Sequence, residues 1–205
     1  LLHWCVAAIS SLVGGVSEYT SRLPSALAVW VMILGGFVFY ARRRNVEVAL
    51  LMGLLTLTCF EVHRAAYACR VDMLLSALVV LALYALYRWT ERGLKGIPWL
   101  AWALMAGAAL TKGPVGVILP CGVAGVYLLL RGYNFFFLLW RFALLAVAAL
   151  LPLFAWYYAA YLEPHGGERF LQLIYEENVL RFTGDMSYAS HINPWYYNLS
   201  LIHIS

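Results

Sequence analysis

The sequence predicts an all-α, multi-pass transmembrane helical bundle of about six spans, with an N-terminal interfacial helix and an outer-face loop region. Three observations predict it. The 205 residues are 64% hydrophobic and 12% charged, with a mean hydropathy of +0.79, whereas a soluble domain is nearer half apolar and a quarter charged. The apolar residues fall into long runs punctuated by short charged segments. One stretch, 97–130, carries a single charge, Lys112. A helix over that stretch rises about 1.5 Å per residue and overshoots a hydrocarbon core of about 30 Å. The chain must turn back at Gly113-Pro114, because proline cannot continue a helix interior and biases its predecessor away from helix. Lys112 is therefore placed at the lip of a helical hairpin, and a charge at a membrane face is a functional-site candidate.

The elements follow in order. Residues 1–16 are apolar and short, and fit an interfacial or re-entrant helix. Candidate spans run over 23–40, 46–60, 73–89, 97–111, 114–130 and 142–162. The second is short for a full crossing, with Glu47 and Glu61 at its interfaces. Trp30, Trp89, Trp99, Trp140, Trp156 and Tyr157-Tyr158 lie toward span ends, where aromatic residues anchor helices in lipid headgroups. Residues 163–198 are the polar part: a turn at Glu163-Pro164-His165-Gly166-Gly167, helical spacing over 169–182, a loop over 183–193, and re-entry at Pro194-Trp195-Tyr196-Tyr197. Residues 199–205 read as the translation of a sequencing-library adapter and are set aside from fold reasoning. With Leu1 opening inside an apolar pattern, 1–198 is expected to be part of one transmembrane domain truncated at both ends. The four cysteines show no metal-ligand spacing and read as small apolar helix residues, with a Cys59–Cys69 bridge left open.

Charge sets the orientation. Arg42, Arg43 and Arg44, then Arg88, Arg92 and Lys95, then Arg131 and Arg141 fall on alternate loops, hence on one side, against only Glu47 and Glu91. The positive-inside rule makes that side cytoplasmic. The outer side holds eight of the ten acidic residues, together with Arg70, Lys112, Arg181 and His191.

Three constellations on the outer side can carry chemistry. Arg70 and Asp72 sit at the start of the third span, where a loop-to-helix junction can bring them together; the plain reading is a snorkelling arginine and an acid favoured by the helix dipole. Lys112 beside a tight turn suits a phosphate or other anion, or simply snorkels to headgroups. Glu177 and Arg181 are four apart and fit an ordinary helix-surface pair. Arg181 can alternatively hold a phosphate bidentately. Glu177 and His191 are weak candidates for a divalent metal, since two ligands are too few to define one.

The segments Glu18-Tyr-Thr-Ser-Arg-Leu-Pro-Ser-Ala-Leu27, Cys69-Arg-Val-Asp-Met-Leu-Leu75, Ala109-Leu-Thr-Lys-Gly-Pro-Val115, Glu177-Asn-Val-Leu-Arg-Phe182 and His191 with Pro194-Trp-Tyr-Tyr197 occur in this order. In this the chain resembles the bacterial lipid A aminoarabinose transferases, grouped with the dolichyl-phosphate-mannose–protein mannosyltransferases in the GT-C glycosyltransferases. The resemblance implies a GT-C-like bundle in the bacterial cytoplasmic (inner) membrane, with its site facing the periplasm. It implies transfer of a sugar from a polyprenyl-phosphate donor to a cell-envelope acceptor, a lipid A-like lipid or a protein. Arg70, Lys112 and Arg181 would contact the donor phosphate, Asp72 would support catalysis, and Glu177, His191 and Tyr196 would line the site. The main base and a lysine-proline-proline segment would precede Leu1, so 1–205 alone is expected to be inactive. No cofactor is certain, a divalent metal stays open, and nucleic acid is not among the expected partners, which are the donor, the acceptor and membrane lipids. The rival reading is a polytopic transporter or flippase for an anionic lipid or lipid-linked sugar.

Overall fold

A computed structural model describes residues 1–162. All regular structure in them is helical: α1 (Leu2–Val13), α2 (Glu18–Ala41), α3 (Val46–Thr58), α4 (Phe60–Tyr67), α5 (Val71–Glu91), α6 (Trp99–Lys112), α7 (Val115–Leu130) and α8 (Phe135–Tyr161). The chain divides into two compact units, Leu1–Phe154 and Ala155–Ser205. Within the first, α5 is the central helix and packs on α2, α4, α6 and α7.

The helical expectation holds, but the span count does not. Three helices, α2, α5 and α8, are long and apolar enough to cross a membrane, or four if α3 and α4 form one broken span. The reasons are local. Cys59 adopts an extended conformation (φ −66°, ψ 119°), and the axis bends by 62° between α3 and α4. Beyond the bend, Val62, Ala65 and Ala66 pack against the core while Glu61, His63 and Arg64 are exposed. That is the i, i+3, i+4 pattern of an interfacial helix. The hairpin α6–α7 breaks at Gly113-Pro114 as expected, but its arms of 14 and 16 residues reach only about 21 and 24 Å at 1.5 Å per residue. α8 begins at Phe135 rather than 142, so Arg141 lies inside a helix and not in a loop.

Small residues let these helices approach. Ala77, Ala82 and Ala85 on α5 and Ala101, Ala106, Ala108 and Ala109 on α6 are all buried, as close helix packing in lipid requires. A second cluster joins Ala28, Val29, Met32 and Ile33 of α2 to Met73 and Ala77 of α5. The outward faces are apolar instead of polar: Leu27, Val31, Leu34 and Val38 on α2, and Leu50, Leu51, Leu54 and Leu55 on α3, are exposed. A continuous surface of this kind fits a lipid environment.

The basic loops meet at one end of the bundle. Arg43 grips the Glu91 carboxylate with two hydrogen bonds, its Nε donating at 2.9 Å, and lies over the Phe39 ring at 4.0 Å. Arg141 Nη1 donates to the Leu94 carbonyl at 2.9 Å. Trp89 departs from its expected role as a lipid anchor. It is buried, its indole donates to the Gly96 carbonyl at 3.1 Å, and it meets Phe142 edge-on, closing the turn between α5 and α6. The four cysteines are all free thiols.

Candidate active site

The opposite end of the bundle carries Arg70, Asp72 and Lys112. Arg70 is the N-cap of α5, with extended backbone (φ −118°, ψ 144°). Its carbonyl accepts a hydrogen bond from Ser25 Oγ at 3.4 Å, and Ser25 is fully buried. This contact fastens the start of α5 to α2. Asp72 stands in the first turn of α5, where the helix dipole favours an anion. Lys112 is the last residue of α6, where the dipole favours a cation.

The two meet. Lys112 Nζ donates to Asp72 Oδ1 at 2.5 Å, with both side chains about half exposed, 49% and 50%. The pair thus closes the gap between two helix ends of complementary polarity. The hairpin holds Lys112 in place through Gly113, which has φ 76° and ψ −157°, a region open essentially to glycine alone. Below the turn, Gly116 lies so close to α6 that a Cβ there would stand 2.5 Å from the Ala108 carbonyl carbon.

Other charges at this end are also paired. Arg22 binds Glu18, and Arg64 binds Glu61 at 2.8 Å. Among the described residues, Arg70 is the one lysine or arginine at this end whose side chain has no acidic partner. An apolar groove of about 440 Å³ opens at the same end between α2, α3 and α4, lined by Leu23, Val29, Leu57 and Val62, with Arg22 and His63 on it. A groove of about 570 Å³ at the basic end, beside Arg43 and Tyr127, does not touch Lys112.

The structure therefore brings Asp72 to Lys112 and sets Arg70 two residues before Asp72. Arg181, Glu177, His191 and Tyr196 lie outside the described residues. Among the described residues, no three His, Cys, Asp or Glu side chains are grouped as metal ligands. Sequence reasoning missed Ser25; its signal was a hydroxyl in an apolar stretch, which in a membrane helix commonly bonds a neighbouring helix. It also missed Gly116, whose only signal was a small residue one turn after the break.

Chemically, this end offers a lysine paired with a carboxylate and an arginine with no acidic partner among the described residues.

Comparison with known proteins bears on the family of the chain. The family model described as dolichyl-phosphate-mannose-protein mannosyltransferase matches residues 1–158. Two uncharacterized proteins of Aquifex aeolicus (strain VF5) are similar to the chain, at 32% identity over 208 residues and 30% over 210. Each alignment covers all of this chain but 45% and 40% of the relative, so the chain spans less than half the length of the curated relatives it matches. No solved structure matches it. The matched region runs from α1 through the Asp72–Lys112 pair and into α8, and on that match this membrane-embedded helical chain belongs to the dolichyl-phosphate-mannose-protein mannosyltransferase family.

Proposed function

We propose that the protein is an integral membrane glycosyltransferase that moves a sugar from a polyprenyl-phosphate donor to a cell-envelope acceptor, a lipid A-like lipid or a protein. The site faces the periplasm from the bacterial cytoplasmic membrane. The observation that carries this reading is the Asp72–Lys112 pair at 2.5 Å, set between two helix ends within the region that the family model matches.

The pair is half exposed, and such ion pairs contribute no more than about 1 kcal/mol. A donor phosphate with its extra charge therefore displaces Asp72 at little cost. Lys112 and Arg70, joined by Arg181, then neutralise the phosphate as it leaves, which is where cationic donors accelerate transfer. Asp72, released from Lys112, supports the removal of the acceptor proton as a carboxylate near the reacting centre. Glu177, His191 and Tyr196 complete the lining. The apolar groove beside Leu23 and Leu57 suits the isoprenoid chain of such a donor. A transporter would place its ionisable groups near mid-membrane on broken helices; here Asp72 and Lys112 stand at helix ends.

The test is transferase activity of the intact protein with a polyprenyl-phosphate sugar. Lys112→Ala is expected to lose about 10²- to 10³-fold in kcat, the scale seen when one charge-stabilising donor is removed. Lys112→Arg should recover part of it. Asp72→Asn should also lose activity. Full activity in both Lys112→Ala and Asp72→Asn would defeat the assignment.

A further inference from the structure

The basic end of the bundle has a feature that sugar transfer does not use. A groove of about 550 Å³ runs between α2, α5 and α6. Its body is apolar, walled by Val31, Leu34, Leu81 and Leu104. Gly35 puts no side chain of α2 into the groove at that level, and the Leu81 Cδ2 methyl lies over it, 2.4 Å from where a Cβ would stand. Its mouth is cationic. Arg42 and Arg88 line it, both are exposed, and neither makes a direct ion pair among the described residues, although the charge of Arg88 is felt by Glu91. The third arginine there, Arg43, is committed to Glu91 and to the Phe39 ring, so the nearby carboxylate is already neutralised.

This arrangement has a depth and a polarity. α2 and α5 are each long and apolar enough to cross a membrane, so the groove body lies at hydrocarbon level and the two arginines at headgroup level. A small soluble anion would satisfy the arginines and leave the apolar walls uncovered. An amphiphile with an anionic head satisfies both. We propose that this groove binds an acidic glycerophospholipid, with its phosphate between Arg42 and Arg88 and one acyl chain along Leu34 and Leu81. Charge complementarity selects the headgroup, because the end as a whole holds eight Lys/Arg against two acids. The site is separate from the Asp72–Lys112 end and does not depend on the transferase reading.

The test is native mass spectrometry of the intact protein, counting phosphatidylglycerol against phosphatidylcholine of the same acyl chains offered in equal amounts. Wild type should retain phosphatidylglycerol preferentially. The exposed double variant Arg42→Gln/Arg88→Gln should lose that retention by about tenfold, on the scale at which basic residues near a membrane surface hold anionic lipid. Arg44→Gln/Arg131→Gln removes the same charge from the same end outside the groove and should stay within about twofold of wild type. Leu34→Trp keeps the charges and fills the groove at an exposed position; it should also lose the lipid. Three results would overturn the proposal: no preference in wild type, equal loss in the two double variants, or undiminished retention in Leu34→Trp.

Discussion

Two glycines flank the lip that carries Lys112, and each is required for a different reason. Gly113 supplies a backbone conformation (φ 76°, ψ −157°) that costs another residue roughly 1–3 kcal/mol. Gly116 supplies space, since a Cβ would stand 2.7 Å from both the Ala108 Cβ and its carbonyl oxygen. Gly116→Ala is expected to lower stability by about 1–3 kcal/mol through overpacking, read as a fall in the thermal unfolding midpoint in detergent. Gly113→Ala should do the same through strain while leaving the arms of the hairpin packed. If Gly116→Ala unfolds like wild type, the close approach of α6 and α7 is wrong. The place of Lys112 was legible because one charge interrupted a long apolar stretch beside a proline. Its partner was not, because Asp72 lies 40 residues away and only the packing of α5 on α6 brings them together. Trp89 misled for a related reason: its position fits an anchor, and only the turn it closes reveals the indole hydrogen bond.

At the scale of elements, starts were misread: α2, α5 and α8 begin at Glu18, Val71 and Phe135 rather than at 23, 73 and 142. α2 begins with a capping box, in which Ser17 accepts from the Thr20 backbone at 3.2 Å and Thr20 Oγ1 accepts from the Ser17 backbone at 2.8 Å. Ser17→Ala should cost about 1 kcal/mol and Ser17→Asn much less, again measured by thermal unfolding. The break at Cys59 carried no such signal. Neither glycine nor proline marks it, and the bend follows instead from α4 laying Val62, Ala65 and Ala66 onto the core. The break falls where the apolar run read as 46–60 ends, and what the sequence reading lacked was α4 itself (Phe60–Tyr67). Arg141 posed the reverse problem. A charge reads as a loop, yet inside α8 it reaches the Leu94 carbonyl, so the helix continues through it.

For the whole molecule, the separation of the basic cluster from Asp72 and Lys112 was readable because α5 runs from Asp72 in its first turn to Arg88 and Glu91 in its last. The structure joins Arg43 to Glu91 at one end and Lys112 to Asp72 at the other. Single cysteines placed in a cysteine-free background of the intact protein test that polarity. In membrane vesicles of one orientation, Arg44→Cys and Lys95→Cys should react with an impermeant maleimide from one side, Arg64→Cys and Lys112→Cys from the other. Labelling of positions 44 and 112 from the same side would contradict the arrangement. The number of spans was misjudged because apolar runs were taken as crossings, while the arms of the hairpin are too short at 14 and 16 residues. The Asp72–Lys112 pair has a consequence for how the protein is made. A lysine entering a bilayer alone is penalised, by about 3 kcal/mol at its centre and less toward the face. α5 leaves the ribosome before α6, so the countercharge already waits when the hairpin arrives. The ion pair is then a docking mark for insertion, fixing beside which helix the hairpin settles and how deep.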